Sequence, residues 1–273
     1  MSQEPQSTNY IPAARTVGLD GAYGGLDVPG MAAIGDAIAL HRHDMPYLSE
    51  MGLVDTRAIT LSLASGIHAE VRYALDTLAP LSKEQGVGFD LEKCEALLDV
   101  IIDCAEEQIE QLSEEAAEVS DALDLAPYED IMRASRAEAE TLQEVHKQGT
   151  LAYDLDRAAD KVIAITMILR NFSFYEHNHR LLTQSSLLKW LSHTIRLLGT
   201  RNMLLRTFYN TQDFYKDMII FLSNVTQSLE LPSRDDALHI LHFLLAFAPQ
   251  RAPSYVDSGG KISFSSFSPS VHR

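Results

Sequence analysis

Several residues in this chain are of types that could do chemistry, and their spacing decides how much. His41-Arg-His43 and Glu176-His-Asn-His179 each place two histidines two residues apart. At i and i+2 of a helix two imidazoles point different ways, so one metal takes both only from an irregular loop. His239 and His242, at i and i+3, do share a face, but Ile240, Leu241 and Phe243 around them mark helix-packing positions with one polar edge. Cys94 and Cys104 lack a Cys-x-x-Cys spacing and read as reduced, buried thiols of an intracellular protein. No Gly-x-x-x-x-Gly-Lys-Ser/Thr, Gly-x-Gly-x-x-Gly, Gly-x-Ser-x-Gly or His-Glu-x-x-His run occurs. The expectation is a protein without catalytic residues, metal, cofactor or small-molecule substrate.

Two asparagines are more interesting. Ile168-Leu-Arg-Asn-Phe-Ser173 and Phe221-Leu-Ser-Asn-Val-Thr226 share the pattern apolar-Leu-x-Asn-apolar-hydroxyl, and Thr77-Leu-Ala-Pro-Leu-Ser82 is a weaker echo with Pro80 at the Asn position. An amide both donates and accepts, so Asn171 and Asn224 on a concave helix could grip the backbone of an extended peptide. Arg170 beside Asn171, and Lys189, Trp190 and His193 on the following helix, would add to such a surface, where Trp and Arg make natural anchors. The other use of each Asn is to satisfy carbonyls at the end of its own helix. Two copies make only a short ladder, which favours capping.

The elements that must position these residues read as helices throughout. Asp55 looks like an N-cap before Arg57, with Gly66 as a stop; Ile67 to Leu81 then carries Val71, Ala74, Leu75 and Leu78 on one face. Asp90 caps a longer helix to about Leu112. The stretch 113–124 is acidic and Ala-rich, and Pro127 opens a mostly polar helix from Tyr128 to about His146, which is marginal unless something docks on it. The strongest stripe begins near Asp154 and runs through Leu155, Val162, Ile165, Leu169 and Phe172. Further helices start at Ser185 or Ser186 (ended by Gly199), after Thr211, and after Pro232-Ser233. Helical hairpins of this length cannot bury their faces alone and must stack, which predicts an all-α repeat solenoid. The Gly-rich segment 1–30 reads as extended, and 251–273 as a flexible Ser-rich tail.

Composition fits that class: 273 residues, 46% hydrophobic and 22% charged, enough for a real core. No run approaches 18 apolar residues, so nothing is expected to span a membrane, and the polar N-terminus argues against secretion. Of the net charge of −16, residues 84–144 carry nineteen acidic against three basic residues. Binding to nucleic acid needs a cationic face that releases counterions, so sequence-specific DNA binding is disfavoured. The acidic run reads as a solvated helix face, or as an arm that docks on a basic partner.

Leu169-Arg-Asn-Phe-Ser-Phe174 resembles a Leu-Arg-Asn-Leu-Ser-Phe stretch in the armadillo-like region of the large ARID-family subunit of SWI/SNF chromatin remodellers, and Tyr175-Glu-His-Asn178 is similar to the Glu-x-Asn that the family places next. Tyr23-Gly-Gly-Leu-Asp27, Met45-Pro46, Ser65-Gly-Ile-His-Ala-Glu-Val-Arg72 and Ala74-Leu-Asp-Thr-Leu78 are similar to the fungal members, so the resemblance covers about residues 20–250. It departs at Phe172, where the family has Leu, and in the acidic block 84–150, which looks like a partly flexible insertion. There is no ARID module, so the resemblance implies a part of a longer protein whose tail leads to a further repeat. It implies an armadillo-like domain over 31–250, a non-catalytic nuclear scaffold in transcriptional regulation. Its partners would be the SWIRM/SANT coiled-coil core subunits, the SWIB-domain subunit and the ATPase's helical segment. A transient adaptor for linear peptide motifs is the alternative.

Overall fold

The computed structural model describes residues 28–41, 54–84, 88–94, 96–141 and 144–249, and the chain divides into two compact units, 1–52 and 53–273. In the first unit the described part is one helix, α1 (Val28–His41), with Met31, Ile34 and Leu40 exposed. The rest of the segment expected to be extended, and the tail 251–273, lie outside the described residues.

The second unit is helical, as the apolar periodicity predicts. Its α-helices are α2 (Thr56–Ala64), α3 (His68–Lys83), α4 (Leu97–Glu115), α5 (Tyr128–Ala139), α6 (Leu151–Ser173), α7 (His179–Leu182), α8 (Ser185–Thr200), α9 (Phe208–Val225) and α10 (Arg234–Leu245). Side chains start many of them. Asp55, Thr150, Thr207 and Ser233 each accept from a backbone N–H of the first turn, satisfying one of the donors a helix start leaves orphaned. Among the described residues the one β-type pairing is an isolated antiparallel bridge between Glu118 and Arg201.

The helices pack in two tiers. One runs α2, α4, α8, α10, each packed on the next; the other runs α3, α6, α9. α3 and α6 are parallel, because His68 at the start of α3 meets Lys161 in the middle of α6 while Ser82 near the end of α3 meets Asn171 near the end of α6. From α6 to α9 the register is equally steady: Asp156 pairs with Arg206, Thr166 with Asp217, and Ser173 with Asn224. Between the tiers lies the core, in which Leu78, Leu97, Ile101, Ile165, Ile168, Phe172 and Phe214 are fully buried.

Several boundaries differ from the sequence expectation, each for a local reason. Asp90 caps only a single turn, Leu91–Lys93, before α4 begins at Leu97. Thr207, not Thr211, caps α9; the Thr211 hydroxyl instead donates to the Thr207 carbonyl inside the helix. Gly199 does not stop α8. It lies inside the helix, and a Cβ there would run into Leu123 and the Asp124 backbone.

The acidic block 84–150, expected to be a partly flexible insertion, is packed over most of its length. Ile101, Ile109 and Leu112 of α4 are core. A strap after α4 crosses the end of α8, with Val119 N–H donating to the Thr200 carbonyl, Asp124 N–H to that of Gly199, and Asn202 N–H to that of Ala117. From there α5 packs on α9. Its helix ends at Ala139, a turn or two short of the expected His146.

Candidate partner-binding site

The residues expected to bind a partner fall in two places, the α6–α9 contact and α8. At the end of α6, Arg170 donates from Nη1 to the Asp217 carboxylate of α9 and from Nε and Nη2 to the Asn171 amide oxygen. The Asn171 amide nitrogen in turn donates to Ser82 Oγ of α3, at 3.0 Å. One repeat further on, the Asn224 amide nitrogen donates to Ser173 Oγ at 2.9 Å. Each receiving hydroxyl passes its own proton back to a carbonyl three residues earlier, Ser82 to Ala79 and Ser173 to Arg170. A hydroxyl has one proton and two lone pairs, so it can do both at once.

The two motif copies therefore form rungs in which the Asn of one repeat bonds the hydroxyl of the preceding repeat. This differs from capping, which predicts bonds to the Asn residue's own helix. The amides are used across helices because Asn171 is buried and a buried amide must find partners wherever they lie. The echo in α3 has Pro80 in place of Asn, and Pro80 N has no proton to donate. Thr226, the hydroxyl of the last copy, is exposed and bonds the carbonyls of its own helix, Leu222 and Ser223.

Asp217 is nearly buried, and Thr166 also donates to it. Burial pushes its carboxyl above the ordinary aspartate range, with Asp213 adding to the rise and Arg170 and Thr166 opposing it. A buried carboxylate facing a guanidinium fixes how α6 sits on α9, since either partner alone would be a stranded charge.

On α8 the three expected residues part company. Lys189 and His193 are exposed, while Trp190 is 2% exposed in the core with its indole N–H meeting no acceptor. Trp190 is therefore a packing residue: it lies one position from Lys189, about 100° around the helix, on the side that faces the body. His193 Nδ1 stands 3.5 Å from Arg196, and partial loss of water around the ring, aided by the Arg196 charge, holds its imidazole below the ordinary range. Lys189 and His193 thus lie on a helix that packs on α4 and α10, apart from the α6–α9 contact that holds Arg170, Asn171 and Asn224.

The run 169–178 is a junction. Phe172 stacks on Phe89 with ring centroids 4.9 Å apart. Asn178, fully buried, accepts from Leu91 N–H and donates to the carbonyls of Phe89 and Phe172. Tyr175 O–H donates to the Glu84 carbonyl and His177 Nε2 to that of Phe89. His179 Nε2 donates to Ser173 O, so the two histidines are tied to separate carbonyls and do not converge. His239 bonds Ser192, also as a packing contact. His43 and the side chain of His41 lie outside the described residues. Among the described residues no group of three or more His, Cys, Asp and Glu gathers as metal ligands would.

Sequence reasoning missed Ser82, Thr166, Ser173, Asp217 and Asn178. The hydroxyl in the repeated motif was the available signal for the serines; a partner 51 residues away leaves none for Asp217. A cleft of about 600 Å³ between α3 and α6 is lined by His68, Arg72, Tyr153, Arg157, Asp160 and Lys161 among others. Two of its ion pairs are local, Arg157 with Asp160 and Arg72 with Asp76, while Lys161 donates to the Gln108 amide oxygen.

The fold and this polar seam define a class: an all-α protein in which buried amides, hydroxyls and one ion pair are used to join helix to helix. No helix among the described residues is long and apolar enough to cross a membrane. No protein-family model matches the chain. Over 254 residues, 86% of this chain, it is 28% identical to the SWI/SNF chromatin-remodeling complex subunit sol1 of Schizosaccharomyces pombe. Over 89 residues, 32% of this chain, it is 34% identical to the SWI/SNF chromatin-remodeling complex subunit SWI1 of Saccharomyces cerevisiae. It is thus a homologue of fungal SWI/SNF subunits, and spans 29% of the length of the first and 7% of the second.

Proposed function

We propose that this chain is a non-catalytic scaffold domain of a SWI/SNF-type chromatin-remodelling complex, an armadillo/HEAT-like stack that docks core subunits in the nucleus. The observation that carries the reading is similarity to a SWI/SNF subunit along 86% of the chain. The two tiers support a stack, because each helix of a tier packs on the one before and the next. Exposed Leu238, Leu241 and Leu245 form one face of α10, the last helix of its tier, which suits a body that buries surface against other proteins. The partners are the SWIRM/SANT coiled-coil core subunits, the SWIB-domain subunit and the helical segment of the ATPase.

Co-expression of the tagged chain with these subunits tests the proposal. At about 0.5 M salt the screening length shrinks to about 4 Å, which leaves an apolar interface intact and weakens an ionic one. Stoichiometric co-purification that survives this wash is the expected result. Failure to retain any core subunit, together with salt-sensitive capture of short peptides, would instead establish the adaptor reading.

A further inference from the structure

α5 occupies a place that its position in the chain does not explain. It comes from the acidic stretch between α4 and α6, yet packs on α9, where it follows α9 in the α3–α6–α9 tier. Its direction sets it apart. Tyr128, at its start, stacks with Tyr215 in the middle of α9, while Glu138, near its end, accepts from Tyr209 N–H in the first turn of α9. It is therefore antiparallel to α9, whereas the other neighbours in that tier are parallel.

The surface it covers is aromatic. Tyr215 is 1% exposed, donates its hydroxyl proton to the Ala126 carbonyl, and is pushed well above the usual phenol range by burial. Phe243 and Phe247 pack on the same ring, and Tyr128 stacks on Phe247 with centroids 4.9 Å apart. Against this, α5 sets the Tyr128 ring and the buried Ile131 and Ser135, and Tyr128 N–H donates to the Ala246 carbonyl. A twelve-residue helix is not stable alone, so α5 is helical only while it is seated on these partners. Strap contacts at Val119 and Asp124 tether it whether or not it is seated.

We propose that the α9 face beneath α5 is a docking groove for an amphipathic helix of a partner protein, and that α5 is its resident in-chain occupant. The chemistry of the partner helix is that of α5: an aromatic residue in the place of Tyr128, an aliphatic one three residues later in the place of Ile131, a small residue at Ser135, and a carboxylate reaching the first turn of α9 as Glu138 does. That carboxylate meets N–H groups that a helix start leaves without intrahelical acceptors, at the positive end of the α9 dipole, which favours acidic helices over basic ones. The proposal rests on the docking reading, but its test uses no chromatin-remodelling subunit, so the two can fail separately.

The probe is a fluorescent synthetic peptide of residues 126–141, titrated into the full chain carrying Ile131→Asp and followed by anisotropy. A tethered α5 competes at an effective concentration of about a millimolar, so the peptide should bind the variant at least about ten-fold more tightly than the unaltered chain. The same peptide bearing Ile131→Asp should not bind. A folded variant that ignores the peptide overturns the proposal, as does equal binding to the unaltered chain. Should Ile131→Asp abolish folding, hydrogen exchange on the unaltered chain decides. Amides of α5 that exchange about 100-fold faster than those of α9 sustain a displaceable helix, and equal protection overturns it.

Discussion

Replacing Asn171 by Leu tests whether the amide ladder joins the helices. The amide gives up one bond to Ser82 at 3.0 Å and two from Arg170, at 3.0 and 3.3 Å. Ser82 is 2% exposed, so its lost acceptor bond finds no water and costs about 1 kcal/mol. The Arg170 side chain is 27% exposed, so its guanidinium recovers part of a charge-assisted loss and costs about 1–2 kcal/mol. Burying the Leu side chain returns about 1 kcal/mol, leaving a net loss of about 1–2 kcal/mol. Trp190, the chain's single tryptophan and a core residue of α8, gives a fluorescence signal for urea unfolding. A double-mutant cycle with Ser82→Ala isolates the rung, with an expected coupling of about 1 kcal/mol. The same cycle between Asn171 and Ser173, which serve different rungs, should give less than about 0.5 kcal/mol. A coupling near zero for Asn171 and Ser82 would refute the ladder.

Leu169→Ala, at 1% exposure in α6, should lower stability by about 2–5 kcal/mol in the same urea assay, and a loss below about 1 kcal/mol would show that this side chain is not core. Asp217→Asn keeps an oxygen that can accept from Arg170 and Thr166 but removes the titrating proton, so it is the pH-independent reference for this group. Because burial raises the Asp217 carboxyl in the folded state, the folded chain holds this proton to higher pH than the unfolded one. The group's contribution is thus greatest below the ordinary aspartate value and declines as pH rises through the raised one; paired urea titrations should show the parent chain gaining on the Asn variant as pH falls through that window. A gap that moves the other way contradicts the assigned direction. Gly199→Ala should press on Leu123 and Asp124 and reduce hydrogen-exchange protection of the Val119 and Asp124 amides about ten-fold, leaving the interior of α8 unchanged.

Helix positions were legible because each helix has one face that meets the core: Val71, Ala74, Leu75 and Leu78 follow the 3.6 period and are all buried in α3. Capping residues were legible in part, since Asp55 and Ser233 bond the first turn as their types suggest. Thr207 was not, because two threonines four apart are equally good caps and the choice depends on where the preceding loop ends. Trp190 was misplaced for a related reason: residue type favours an interface anchor, but phase along α8 sends it inward. Nor does the sequence say where α5 packs. Its composition is polar, and the aromatic residues that receive it come from α9 and α10, about 80 to 120 positions later.

The repeated asparagine shows how the same residues support opposite functions until partners are known. A groove that grips peptide backbone needs amides with free donors and acceptors pointing outward. In this chain the Asn171 nitrogen is taken by Ser82 and its oxygen by Arg170, while Asn224 is taken by Ser173. A peptide could reclaim Asn171 only by breaking its bond to Ser82 of α3 and the two it accepts from Arg170, the residue that also pairs with Asp217 of α9, at a cost larger than one backbone contact returns. The ladder therefore stiffens the tier from inside and withdraws the Asn171 amide from the surface. What the body offers a partner is then the side-chain surface of its helices, which favours folded or helical partners over extended peptides.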